Sequence, residues 1–398
     1  MAVADHIKEM MTSPSSGIIR RMFEEGMRLK EIYGEDNVYD FSLGNPDLDP
    51  PVEVSEEFAR IAGSREKNFH GYMPNAGYPE ARRAMAEKTS QEQGVSVGPE
   101  CVVMSVGAAG ALNALLKAIL NPGDEVIVPS PFFAEYRHYV GNYGGKLVEV
   151  PCGEDFSPDC GAIGRALSGR TAAVLVNSPN NPTGRVYTQD EIHALAETLR
   201  DHAGKSGRAP WLICDEPYRA ITYDGARTAS VFTEYENSVV VTSFAKNLSL
   251  PGERIGYIAV NGASPGKDEL VAACVFTTRI LGYVNAPGLM QRVVARTWSA
   301  PADYSPYRKR RDELMANLDA AGIEYVRPQG AFYLWCRVPD GFGGDDMAFC
   351  EHLKKYRILG APGSGFGGKG WFRLAYCVSE EIIRSSRAAF IKAMENIG

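Results

Sequence analysis

TSFAKNLSLPGERIGY, residues 242–257, follows the run Ser238 to Thr242, and the rest of the chain is best read outward from it. Consecutive β-branched residues bounded by turn formers read as a strand buried on both faces. The strand delivers Lys246 into a turn of small residues, and Arg254 follows beside Gly252 and Gly256. A lone lysine after a strand is ordinarily a surface residue, so its weight depends on what stands beside it.

The same alternation of helix and buried strand extends from about residue 52 to 290. Strands are expected at Cys101 to Val106, Glu125 to Pro129, Lys146 to Val150, Ala172 to Asn177, Trp211 to Asp215, Ser238 to Thr242 and Ile255 to Val260, with helices near 108–120 and 189–203. Continuous apolar strands between helices predict an α/β domain, a mostly parallel central sheet sandwiched by helices. Upstream, a helical pattern over 13–33 ends at Gly34, and a strand is expected at Val38 to Leu43. Beyond Pro301 come a helix at Tyr307 to Ala321, strands Gly330 to Arg337 and Gly370 to Tyr376, a helix near Met347 to Tyr356 and a closing helix from Ser379. The expected organisation is an amino-terminal arm (1–49), a large domain (50–295) and a smaller α+β carboxyl-terminal domain (296–398) to which the arm contributes.

Composition excludes several function classes. The 398 residues carry a net charge of -7, 44% hydrophobic and 23% charged residues, which suits a globular protein and argues against general phosphate-backbone binding. The basic run Arg308 to Arg311 reads as a solvated helix face. Eight cysteines without a C-x-x-C pair point to free thiols in a reducing cytosol, with no metal site. The amino terminus has no apolar signal core and no apolar stretch reaches about 18 residues, so a cytoplasmic location without membrane contact is expected.

Four stations beside the lysine carry chemistry. Arg254, flanked by glycines that allow close backbone approach, can grip an oxyanion with paired donors, and Ser243 adds a hydroxyl. Lysine, hydroxyl and arginine together suit a phosphorylated aldehyde held as a Schiff base. The turn Ser105 to Ala111 between a strand and a helix offers free N–H groups to an anion. Asp215 in Asp215-Glu216-Pro217-Tyr218 follows a strand, where residues line the ligand crevice of such a sheet; it suits keeping a pyridine nitrogen protonated. Asn181, in Asn177 to Gly184, is placed to hydrogen-bond a ring oxygen.

Asn181-Pro182-Thr183-Gly184, Asp215-Glu216-Pro217-Tyr218, Ser243-Phe244-Ala245-Lys246 with Arg254, Tyr72 to Gly77, and Phe372 to Tyr376 together resemble a class I/II aminotransferase of the aspartate aminotransferase superfamily, fold type I, dependent on pyridoxal 5'-phosphate (PLP). The resemblance implies that Lys246 holds PLP covalently and later moves a proton to and from the substrate α-carbon. It implies that Asp215 pairs with the pyridine nitrogen, and that Asn181 and Tyr218 bond the phenolic oxygen. Ser243, Arg254 and the amides at Gly107, Ala108 and Ala109 would bind the phosphate, joined by Tyr72 from the other subunit of a homodimer. Phe133 would stack on the ring, while Arg373, with the Gly44 amide and Asn181 nearby, would take the α-carboxylate. The implied reaction is a two-step exchange of an amino group between an L-amino acid and a 2-oxo acid, by way of pyridoxamine phosphate.

The sequence departs from the family pattern in places. Residue 245 is alanine where serine is frequent, and residue 109 is alanine where one aspartate-specific subgroup has lysine. Arg279, ahead of Asn285-Ala286-Pro287 and one residue out of register with the family pattern, would by the resemblance be the alternative cation for a second carboxylate, contributed by the partner subunit, and otherwise reads as an ordinary surface or helix arginine. The motifs alone are also compatible with a C–S β-lyase or a decarboxylase on this fold, and a non-catalytic regulator stands as a further alternative.

Overall fold

The computed structural model describes residues 2–12 and 18–397 of the chain. After a two-residue strand β1 (Tyr39–Asp40), seven strands build the largest sheet: β2 (Val102–Ser105), β3 (Glu125–Ser130), β4 (Lys146–Pro151), β5 (Thr171–Asn177), β6 (Trp211–Asp215), β7 (Ser238–Ser243) and β8 (Gly256–Val260). Their order is β2-β8-β7-β6-β5-β3-β4, and every neighbouring pair is parallel except the two made by β8. The expected mostly parallel α/β sheet is what the chain forms.

Burial on both faces explains the apolar runs. In β5, Val174 and Val176 join one hydrophobic cluster, whereas Ala173 and Leu175 join another. Helices Gln189–Ser206 and Gly288–Thr297 cover the first face; Gly107–Ile119 and Lys267–Ile280 cover the second. Side chains that alternate along a strand therefore meet apolar partners on either side.

Strand direction, more than strand order, positions the loops. Strands β2, β3, β5, β6 and β7 run the same way, so the residues after them emerge on one edge of the sheet. The reversed β8 starts on that edge, which brings Arg254, two residues ahead of it, to the same place.

A second sheet lies in the carboxyl-terminal third. β9 (Tyr325–Val326), β10 (Tyr333–Arg337), β12 (Ala361–Pro362) and β13 (Trp371–Ala375) are antiparallel in the order β12-β13-β10-β9, while β11 (Ile358–Leu359) pairs in parallel with β1. Helices Ser305–Ala321 and Glu380–Glu395 close its core, which also takes in Tyr39, Phe41 and, from the loop after β6, Tyr218 and Ile221.

Three local expectations change. The strand expected at Val38 to Leu43 shrinks to β1, because the next carbonyls have other partners: Ser42 O accepts from Arg373 Nη2 at 2.6 Å and Leu43 O from Cys377 Sγ at 3.7 Å. The strand expected from Gly330 starts at Tyr333, since Ala331 sits at φ 58°, outside the extended region. Of the helix expected over 13–33, positions 13–17 lie outside the described residues; Ile18–Tyr33 is helical and stops at Gly34.

The basic run is corrected as well. Arg308 and Lys309 are exposed, but Arg310 and Arg311 are buried. Arg310 Nη1 meets Asp47 Oδ1 at 2.6 Å, and Arg311 bonds Asp224 through both terminal nitrogens at 2.8 and 3.2 Å while packing 4.7 Å from the Tyr223 ring centre. Burying a guanidinium costs free energy unless acceptors meet its donors; for Arg311 these are Asp224 from a remote loop and the adjacent Asp312, while Arg310 keeps Asp47 and leaves Nε without a partner among the described residues. Arg311→Ala is expected to cost about 2–3 kcal/mol in urea unfolding, because charged hydrogen bonds and packing are lost together. Lys309→Ala removes an exposed pair with Glu380 and should stay within about 0.5 kcal/mol. Equal unfolding midpoints for the two variants would return Arg311 to the solvated face.

Candidate active site

Lys246 leaves the end of β7 in a loop held shut by Phe244 N–H donating to Ile255 O (3.1 Å) and Leu250 N–H to Phe244 O (3.2 Å). The loop turns through left-handed backbone at Ser249 and Arg254, φ 54° and 52°, and Lys246 projects into a cavity of about 330 Å³ at the carboxyl edge of the large sheet. Its Nζ donates to Gly44 O at 2.7 Å. Burial is the main reason that its pKa falls to about 8; Arg373 and Arg254 push the same way and the Cys377 thiol opposes them. A surface lysine would show none of this.

Asp215, at the end of β6, is buried with one oxygen engaged and one free. Tyr136 donates to Oδ2 at 2.6 Å, while Oδ1 has no hydrogen-bond partner among the described residues. Burial raises this carboxyl to about 7, against the Tyr136 hydrogen bond, which lowers it. Asn177, at the end of β5, ties the two strand ends together: its Nδ2 donates to Asp215 O at 2.8 Å and its Oδ1 accepts from Asn181 N at 2.7 Å. An orphaned buried acceptor costs free energy unless a ligand satisfies it, so Oδ1 is open to a ligand's donor.

On the side of the smaller sheet, Arg373 of β13 is fully enclosed. Its Nη1 donates to Asn181 Oδ1 at 2.9 Å and its Nη2 to Ser42 O, leaving Nε unpartnered among the described residues. The guanidinium packs 4.6 Å from the Tyr333 ring centre and 4.7 Å from that of Phe366. The Tyr218 and Tyr333 hydroxyls are 2.7 Å apart.

The opposite end of the cavity suits an anion. Helix Gly107–Ile119 begins there with its first N–H groups free of helical partners, and Ala108 and Ala109 line the wall. Gly107 sits at φ 68°, where an added Cβ would stand 3.0 Å from Arg254 Nη2. At Gly256 a Cβ would approach Thr242 O to 2.4 Å. Two glycines thus let Arg254 and the helix terminus come together, with Ser243 lining the same wall.

Of the site residues expected from sequence, the cavity is lined by Gly44, Ala108, Ala109, Phe133, Asn181, Asp215, Tyr218, Ser243, Lys246, Arg254 and Arg373. Gly107 lies just behind, against Arg254. Tyr72 is not brought in: it is 96% exposed. Arg279 is also outside, exposed with its guanidinium 5.2 Å from the Phe276 ring centre. Sequence reading missed Tyr136, Tyr139, Asn177 and Tyr333. Asn177 had a signal, as the first residue of the turn that carries Asn181, but Tyr333 stands in the apolar run Ala331 to Trp335 where it reads as core, and Tyr136 and Tyr139 stand in a mixed polar stretch with no motif to single them out. Among the described residues no cluster of His, Cys, Asp and Glu could hold a metal, none of the eight cysteines is disulfide-bonded, and no helix is long and apolar enough to cross a membrane.

One cavity therefore brings together a buried carboxyl oxygen without a partner among the described residues, an arginine beside a helix amino terminus and a lysine amine of lowered pKa. Residues 36–389 match the family described as aminotransferase class I and II. An aspartate/prephenate aminotransferase of Thermus thermophilus is 35% identical, over 89% of this chain and 90% of its own. Among solved structures, an aminotransferase of Eubacterium rectale superposes with a TM-score of 0.94 at 37% identity over the whole of both chains. An aspartate aminotransferase of Thermus thermophilus with maleate gives 0.86 at 32% identity, over 99% of this chain and 100% of its own.

Proposed function

The chain belongs to the class I and II aminotransferases, and on that premise we propose that the cavity binds PLP at Lys246 and passes an amino group between an L-amino acid and a 2-oxo acid. The observation that carries this reading is Asp215 Oδ1, buried and without a partner among the described residues, on a residue that shares one cavity with the lowered-pKa amine of Lys246. The residues fit the group: Lys246 for its aldehyde, Asp215 for its ring nitrogen, Asn181 and Tyr218 for its phenolic oxygen, and Ser243, Arg254 and the Gly107–Ala109 amides for its phosphate. Phe133 packs edge-on against Tyr136, centroids 5.5 Å apart, and so presents a fixed wall to the ring.

Bound there, PLP supplies a conjugated cationic ring that spreads the negative charge left on a substrate α-carbon after loss of its proton. The chain does the rest. Arg373 takes the α-carboxylate: its bonds to Asn181 Oδ1 and Ser42 O and the rings of Tyr333 and Phe366 keep the guanidinium fixed, and Nε, without a partner among the described residues, is left to donate. Lys246 Nζ would be the base that removes the α-proton; its lowered pKa makes the neutral amine accessible near pH 8. Asp215 holds the positive charge that makes the removal feasible.

Aspartate is a candidate donor, since the Thermus relatives are named for it. Within this chain the cavity's cations are Lys246, Arg254 and Arg373, each already committed to the cofactor or the α-carboxylate, so a second carboxylate would need Arg279 reaching across a homodimer. Exposed Tyr72 would enter a neighbouring cavity in the same way.

A half-reaction screen tests the reading. Purified protein loaded with PLP should change absorbance when given its amino donor alone, releasing one equivalent of 2-oxo acid, and recover the starting spectrum with a 2-oxo acid. Ammonia and pyruvate released continuously, with no stable spectral change, would place the chain among lyases instead.

A further inference from the structure

Tyr333 touches both halves of the proposed chemistry. We propose that it is a positioning residue: its hydroxyl directs the proton of Tyr218 toward the cofactor's ring oxygen, and its ring supports Arg373 beneath the substrate carboxylate. This rests on the reading of the cavity as a PLP and amino-acid site.

The geometry is specific. Tyr218 and Tyr333 hydroxyls lie 2.7 Å apart, within a single short hydrogen bond that only one of them can donate. Tyr218 has one proton. Spent on an acceptor in the cavity, it leaves the Tyr218 oxygen accepting, so Tyr333 must be the donor. The Tyr333 hydroxyl makes no other hydrogen bond among the described residues. It packs closely against Gly44, where an added Cβ would stand 2.1 Å from its oxygen. Gly44 also supplies the carbonyl that holds Lys246 Nζ. The ring of Tyr333 meets that of Tyr218 nearly edge-on, at 81°, with centroids 5.6 Å apart, and carries the Arg373 guanidinium at 4.6 Å. One side chain thus touches both the hydroxyl donor and the carboxylate clamp.

Four variants test this in the full chain: Tyr333→Phe, Tyr218→Phe, the double variant and Tyr333→Leu. Tyr333→Phe should lower kcat about tenfold, as expected when a buried hydroxyl loses its donor, with KM for the amino acid changed less than about twofold. In substrate-free holoenzyme the pH midpoint of the cofactor's absorbance should rise, in the same direction as in Tyr218→Phe, because a donor to an anionic oxygen favours the charged form. The double variant should match Tyr218→Phe alone, since residues acting through one another are not additive. Tyr333→Leu, which also removes the ring under Arg373, should add a rise in KM of roughly tenfold. The proposal is overturned if Tyr333→Phe leaves both midpoint and kcat unchanged, or if its loss multiplies fully onto that of Tyr218→Phe. Wild-type protein that takes up no lysine-linked cofactor would overturn the underlying reading as well, and that result appears before any variant is made.

Discussion

Lys246→Ala is expected to lower amino-group transfer by roughly 10⁴-fold or more, the scale on which loss of a covalent catalytic group acts. Borohydride treatment followed by peptide mass analysis should find the cofactor attached at residue 246 in the wild type and nowhere in the variant. The fold should survive, because the side chain gives up only one hydrogen bond, to Gly44 O. The pH dependence supplies an independent check on the unloaded protein. The pKa of Lys246 is about 8 when folded against 10.5 as an ordinary lysine. Between these values the unfolded chain binds the proton and the folded chain does not, so this group makes stability rise with pH across that window. Below about pH 8 burial of the amine is a fixed cost that alanine removes. The difference in stability, wild type minus variant, should therefore climb from pH 8 to 10.5; a flat difference would mean that the amine is not held in a desolvated, cationic setting. A retained borohydride-stable linkage in the variant would move the anchor to another lysine.

What the sequence disclosed and what it hid divide along one physical line. Buried parallel strands are apolar on both faces, so their ends are legible, and in such a sheet those ends converge; Asn177, Asp215 and Ser243 stand at ends of this kind. Arg254 was legible as an oxyanion grip between glycines, but what brings it to that edge is the reversed direction of β8, which leaves no mark in a five-residue apolar run. Tyr136 and Tyr333 were invisible because their meaning lies in partners 79 and 115 residues away, Asp215 and Tyr218. The misread Arg311 is the same case, since its acceptor Asp224 is 87 residues distant. Local sequence reports what a residue can do; only its distant contacts report whether it is asked to. Tyr72 and Arg279 mark the boundary, exposed in the single chain although the family resemblance gives both to a shared dimeric site.

Asp215→Asn carries the second large expectation. The substitution is nearly isosteric, and Tyr136 can still donate to the remaining carbonyl oxygen as it now does to Oδ2 at 2.6 Å. What changes is the atom at Oδ1, today a buried acceptor without a partner among the described residues. An amide places either N–H donors or an uncharged oxygen there, and neither holds a positive charge on a ring nitrogen. Burial already lifts this carboxyl to about 7, so an adjacent cation is what would keep it ionised through neutral pH; carboxylate and cation stabilise each other's charge. Removing that charge should lower kcat by about 10²–10³-fold, the range found for losing one preorganised electrostatic contact, with much less effect on KM. Asp215→Glu keeps the charge on a longer stem and should retain more activity than Asp215→Asn. If the amide variant instead kept wild-type kcat while cofactor loading stayed complete, the role of Asp215 would be structural, a brace between β6 and Tyr136, and the charge needed for α-proton removal would have to come from elsewhere in the cavity.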